Sequence, residues 1–214
     1  MHGVSFGEVH SFHNLRLILS PFTPPPAVPQ TNFLKVPGRD GTLDLTEANG
    51  EVKFNDRELM FTFTISPDDV LSFDERLAAV SNTLNGKRCK ITLDRDPDYY
   101  WEGRCAVEQH QRDKNIGKIV VKATVNPYKL KQRFTVVPVA LSAAANTVVL
   151  ENGRMSAVPT IECSHGATVV FGGKTHELSA GAGKILDIRL LEGKNLLTVS
   201  GTGTITFIWR EGAL

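Results

Sequence analysis

The sequence has almost no net charge: 24 Lys and Arg stand against 23 Asp and Glu, leaving +1. Such a balance gives no dominant electrostatic pull toward nucleic acid or an acidic surface. Cysteine is scarce, and Cys89, Cys105 and Cys163 are too few and too scattered for a disulfide framework or a CxxC-type metal site. Buried thiols are expected instead. Long hydrophobic runs are missing as well. The longest uncharged stretch, 134–150, is broken by Pro138, Ser142 and Asn146 and falls short of the about 20 apolar residues of a membrane helix. The opening Met1-His2-Gly3-Val4-Ser5-Phe6 lacks the basic segment and apolar core of a secretory signal, so the expectation is synthesis in the cytosol with no membrane partner.

What is present is a chain of 214 residues, enough for one or two domains with buried cores. Charge is denser before Pro127, and the region after about 132 shows short apolar runs punctuated by glycine. Two domains are expected, 1–131 and 132–214. The fold class expected is mainly β: an N-terminal β-sandwich-like domain carrying one α-helix and a β-hairpin, then a C-terminal antiparallel β-sandwich.

Period-two alternation marks the strands. Leu59, Phe61, Phe63 and Ile65 alternate with Glu58, Met60, Thr62 and Thr64, which places one set inward. Ile205, Phe207 and Trp209 form a similar set near the C-terminus, and Leu186, Ile188 and Leu190 read as another half-buried strand. Helical period appears once. Val70, Phe73, Leu77, Val80 and Leu84 share one helix face, Ser66-Pro67-Asp68-Asp69 signals the start, and Gly86 signals the stop. Pro21 to Pro29 holds five prolines and reads as an extended connector.

Each chemical motif has a structural reading beside it. Gly173-Lys174-Thr175 has the end of a phosphate loop but Thr168 where that loop needs its first glycine, and Gly172-Gly173 suits a tight hairpin. Cys163, Ser164 and His165 are adjacent, and neighbours on a strand point to opposite faces, so a nucleophile and base pair is not expected. His10 and His13 would meet on a helix, whereas their segment reads as strands and turns. Asp94, Asp96 and Asp98 lack the acidic twelfth position of a calcium loop, which is Cys105. No catalytic residue, metal site or cofactor is expected, and the chain is not read as an enzyme. If the following hairpin is symmetric about Pro97, Cys89 and Cys105 face each other on its apolar side as reduced thiols. Tyr99, Tyr100 and Trp101 gather at the hairpin base, where alternation points Tyr100 outward and makes Tyr99 and Tyr100 candidates for an inter-subunit contact.

One motif is more specific. Pro37-Gly38-Arg39-Asp40-Gly41-Thr42-Leu43-Asp44-Leu45-Thr46-Glu47, with Arg57 downstream, resembles the signature of the phage distal tail protein family, often called Dit, the siphovirus-type tail component. Asn126-Pro127-Tyr128-Lys129 at the expected domain junction and Gly193-Lys194-Asn195 through Arg210-Glu211-Gly212 agree with it in order. The motif residues Pro37, Gly38, Arg39, Asp40, Gly41, Asp44 and Arg57 have a structural reading: permissive glycine backbone, and charged side chains that pin the loop to the sheet.

The resemblance implies a structural protein of a phage or prophage tail tip. In that role the N-terminal domains form a ring, expected to be a hexamer, and a galectin-like C-terminal sandwich projects outward. The ring joins the tail tube protein to tip or baseplate hub proteins and to a receptor-binding protein, while DNA passes through the lumen without specific binding. Its place is the virion tail tip after synthesis in the host bacterial cytoplasm. The alternative is a carbohydrate-binding sandwich contacting cell-wall glycans, for which Phe171, Phe207 and Trp209 are the available aromatics.

Overall fold

The structure, a computed structural model, describes residues 3–48, 50–65, 71–113 and 116–214, with the backbone alone for 109–113 and 116. It divides into two compact units, Met1–Lys129 together with Leu214, and Leu130–Ala213. The mainly β class with one helix among the described residues is as expected.

In the first unit the chain forms β1 (Val4–Phe6), β2 (Val9–His10), β3 (Leu17–Leu19), β4 (Phe33–Leu34), β5 (Leu43–Asp44), β6 (Arg57–Ile65), α1 (Phe73–Leu84), β7 (Arg88–Leu93), β8 (Tyr99–Asp113) and β9 (Ile116–Val125). Strands β2-β1-β7-β8-β9-β6-β3 make one sheet in that order, and β4 and β5 pair apart from it. The inward set on β6 is the expected one: Leu59, Phe61 and Phe63 are fully buried, and Ile65 packs against the same core.

Four strand spacings separate β1 from β6, which on a flat sheet is about 19 Å. Yet Phe6 on β1 meets Phe61 on β6 edge to face, with ring centroids 5.6 Å apart. The sheet therefore curls around its own core, as twisted strands permit. A register shift between Val107 and Gln109, where β8 pairs with β9, adds a local bend. Phe22, from the proline-rich connector, lies 4.5 Å from Phe61 and helps cover the core.

The helix begins later than the sequence suggested. Ser72 is its N-cap, with a reciprocal capping box in which the Glu75 backbone N–H reaches the Ser72 hydroxyl and the Ser72 N–H reaches the Glu75 carboxylate. The Ser66-Pro67-Asp68-Asp69 signal and Val70 lie outside the described residues. Val80 and Leu84 are buried, and Phe73 and Leu77 pack beside them. Gly117 on β9 makes the space for Phe73: a Cβ there would lie 2.3 Å from the ring.

The second unit opens with β10 (Lys129–Lys131), which straddles the boundary. It continues through β11 (Thr135–Ala140), β12 (Asn146–Asn152), β13 (Thr160–Cys163), β14 (Ala167–Phe171), β15 (Lys174–Leu178), β16 (Gly181–Lys184), β17 (Gly193–Gly201), β18 (Thr204–Trp209) and β19 (Gly212–Ala213). Two four-stranded sheets, β11-β18-β13-β16 and β12-β17-β14-β15, enclose a core of Leu150, Ile161, Val169, Ile188, Leu197 and Phe207 among others. This is the expected antiparallel sandwich. One expected strand is absent: Leu186 sits in a turn closed by the Ile188 N–H to the Ile185 carbonyl and is 80% exposed, while Leu190 makes only an isolated bridge to Ala157. The turn replaces the strand because Leu186, unlike Ile188 and Leu190, has no core to enter.

Candidate functional site

The structure separates Arg57 from the other motif residues. Gly38 and Gly41 both lie in the left-handed region, at φ 80° and 75°, so the loop they turn would strain any side chain there. Pro37, Gly38, Arg39, Asp40, Gly41 and Asp44 are all exposed. Asp44 caps its own turn by accepting the Thr46 N–H at 2.9 Å, and bonds from the Thr46 side chain first and its N–H second hold the Asp44 carboxyl below the usual range. Among the described residues no charge-assisted bond joins Arg39, Asp40 or Asp44 to Arg57. The expected pinning of the loop by these charges is corrected: the loop stands on backbone turns, and Arg57 turns the other way.

Arg57, at the start of β6, is 6% exposed. Its guanidinium donates to the Pro127 carbonyl at 3.2 Å and to the Pro25 carbonyl, and lies 5.7 Å from the Trp101 ring centroid. One side chain thereby ties the proline-rich connector to the Asn126-Pro127-Tyr128-Lys129 segment. Proline segments donate few backbone N–H groups, so their carbonyls need an outside donor, and arginine offers five. Two such donors, Arg57 Nε and Trp101 Nε1, are buried without an acceptor. Burial with no carboxylate alongside pushes the Arg57 guanidinium down from its ordinary value.

Around this cradle lies an open cleft of about 600 Å³ lined by Pro24, Pro26, Arg57, Asp96, Trp101 and Lys129. Lys129 Nζ meets Asp96 at 2.6 Å and sits 4.4 Å from the Tyr99 ring centroid, and Tyr128 packs edge to face on Phe54 at 5.8 Å. Connector, junction segment and aromatic hairpin base thus converge on one place within the first unit. Sequence spacing could not show this, because the two Arg57 bonds reach across 70 and 32 positions.

Tyr100 corrects an expectation. It is 3% exposed rather than outward, and Lys90, on the same face of the neighbouring strand, places its Nζ 4.8 Å from the ring centroid. Trp101 is 3% exposed, on the core side. Tyr99 is half-buried.

The chemical motifs resolve one by one. Phe171 pairs with Lys174 across the Gly172-Gly173 turn, which is the hairpin expected there. His10 and His13 do meet, with ring centroids 4.5 Å apart, because a turn rather than a helix brings them together, and His10 Nε2 lies 3.2 Å from the Asp94 carboxylate. Ser164 and His165 also meet, Oγ to Nδ1 at 3.1 Å, since β13 ends at Cys163 and the strand argument no longer applies beyond it. The Ser164 hydroxyl accepts the Thr204 N–H at 2.8 Å, which fastens this turn to β18. Asp94 and Asp96 take separate partners, Gly3 with His10 and Lys129. Among the described residues no group of three or more His, Cys, Asp or Glu is placed to hold a metal ion, and no helix is long and apolar enough to cross a membrane. Phe207 and Trp209, the aromatics considered for sugar stacking, are buried.

Residues 5–135, which include the whole Arg57 cradle, match the family model described as the phage tail protein RIFT-related domain. The chain belongs to this family. The phage tail chain also shares its fold with a solved structure, the SPP1 Dit protein, described as a paradigm of the hub adsorption apparatus in phages infecting Gram-positive bacteria. That likeness has a TM-score of 0.73 at 14% identity and covers 100% of each chain. Comparison with curated protein sequences gives no match.

Proposed function

We propose that this phage tail protein is the distal tail hub: a ring, a hexamer by family resemblance, that joins the tail tube to the tip or baseplate proteins and lets DNA pass through its centre. In this reading residues 1–131 form the ring and 132–214 project from it as a galectin-like sandwich. The partners are further copies of the chain, the tail tube protein, the tip proteins and a receptor-binding protein, and no catalysis is required. The observation that carries the reading is the likeness to the SPP1 Dit hub along the full length of both chains.

The Arg57 cradle then has a building role. It clamps the connector and the junction segment against the sheet, so that the first unit presents a fixed surface. Half-buried Tyr99, at the edge of this place, remains a candidate for contact between subunits. Gold-labelled antibody against the protein, viewed on intact virions in the electron microscope, should mark the end of the tail furthest from the head. Label along the tube or at the head would overturn the hub assignment while leaving membership of the tail family intact.

A further inference from the structure

The Arg57 cradle leaves two thiols unused. Cys89 on β7 and Cys105 on β8 are free, and their sulfur atoms lie 3.5 Å apart. They are not directly opposite, as symmetry about Pro97 would require: Cys89 pairs with Gly103 and Arg88 with Arg104. Gly103 has no side chain, so the Cys89 thiol leans past it to reach Cys105 two residues further on. A disulfide requires about 2.0 Å between sulfurs, so the pair needs about 1.5 Å of approach, which for neighbours set two residues off register takes backbone adjustment as well as side-chain rotation.

The two thiols are unlike in environment. Cys89 is half-buried and Cys105 fully buried. The bond from Cys105 favours the Cys89 thiolate and lowers its pKa, whereas Cys105, held as the donor and shielded from water, is pushed upward. Cys89 is therefore the group that reacts first with an incoming reagent, and Cys105 is poised behind it.

We propose that Cys89 and Cys105 are a redox modification site, which closes to a disulfide joining β7 to β8 when the protein meets a low-molecular-weight disulfide. The Cys89 thiolate attacks one sulfur of the reagent, forming a mixed disulfide and releasing one reagent thiolate. Cys105 attacks the Cys89 sulfur and passes its proton to the departing reagent sulfur, releasing the second reagent thiol, while the first reagent thiolate takes up from solvent the proton that Cys89 had lost. The two cysteines are oxidised and the reagent reduced by two electrons, with two protons accounted for on the two reagent thiols. Oxidising conditions outside a cell supply reagents of this class. Cys163 takes no part: it is buried in the core of the second unit. The bond closes a span of 16 positions and stiffens the hairpin that carries Tyr99 to Trp101.

The test uses the intact protein incubated with oxidised glutathione, then denatured, alkylated with N-ethylmaleimide and weighed. The expected product has lost two hydrogens, carries alkyl label on Cys163 alone, yields a peptide pair linked through Cys89 and Cys105, and melts a few degrees higher until dithiothreitol reverses it. Label on all three cysteines, glutathione retained on Cys89, or a link to Cys163 or to another chain would overturn the proposal. A Cys105→Ala variant should instead accumulate glutathione on Cys89; accumulation on neither remaining cysteine would overturn the order of attack.

Discussion

Among the described residues the first unit buries two arginines, Arg57 and Arg76, whereas the second buries two carboxamides, Asn152 and Asn195. The carboxamides are fully engaged. Asn152 donates to the Met155 and Leu190 carbonyls and accepts the indole N–H of Trp209 at 3.0 Å. Asn195 accepts the Leu191 N–H and donates to the Leu150, Leu191 and Gly193 carbonyls. These bonds close the sandwich on itself. Arg57 instead grips carbonyls from remote segments and keeps its Nε without an acceptor. A closed amide network is a device for holding one domain in shape, while a buried cation that gathers connector and junction segments organises a surface. Family membership is carried by the same region, since residues 5–135 give the match.

The largest expected effect lies in the two hydrophobic cores. Phe61 touches Phe6, Phe22 and Phe63, and Phe207 is fully buried between the sheets of the sandwich. Phe61→Ala and Phe207→Ala should each cost about 3–5 kcal/mol in denaturant unfolding, through lost burial and the cavity left behind. A cost below about 1 kcal/mol for either would contradict its place in a packed core.

Next is the contrast between the polar devices. Asn152→Ala leaves the buried Trp209 N–H without its acceptor and takes a donor from the Met155 and Leu190 carbonyls, and should destabilise by about 2–3 kcal/mol. Arg57→Met frees the Pro25 and Pro127 carbonyls and should cost about 1–2 kcal/mol. The readouts differ: Arg57→Met should also speed limited proteolysis within 20–29, whereas Asn152→Ala should leave that cleavage rate unchanged. Equal cleavage in all three proteins would remove the clamp role from Arg57.

The smallest effect is a pH dependence confined to the second unit. Burial alone raises the Glu211 carboxyl, but the bonds from Lys131, with Nζ at 2.8 Å, and from the Thr135 hydroxyl outweigh it and hold Glu211 below its ordinary value. A lowered folded pKa gives stability that is present above the unfolded value, about 4.3, and is lost as pH falls through the folded one. Glu211→Gln should flatten the acid limb of the melting curve. An unchanged limb would show that other carboxyls set it.

Much of the fold was legible where alternation meets a real core. On β6 and β18 every second residue enters the interior, and the pattern in the sequence is the pattern of burial. Leu186 to Leu190 alternates just as well but forms a turn, since period two cannot tell a strand from a segment that dips into the core at Ile188 and Leu190. The helix start was displaced because Ser66 and Ser72 both carry capping signals; the Ser72 to Glu75 spacing was readable and is the one used among the described residues. Tyr100 escaped because alternation tells which face a side chain takes, not whether that face is covered, and here the Lys90 ammonium lies over the ring. Of the candidate site, Arg57 and the Asn126-Pro127-Tyr128-Lys129 segment were visible as motifs. Their meeting was not, because it depends on a connector that returns across the sheet.

The most direct test of the hub account is the mass of the purified protein in solution by light scattering, with negative-stain images of the same fraction. A 23.4 kDa chain that closes into six-membered rings gives particles of about 140 kDa with a central opening. That result is the one predicted here. A 23.4 kDa monomer at every concentration, with and without tail tube protein added, would contradict it.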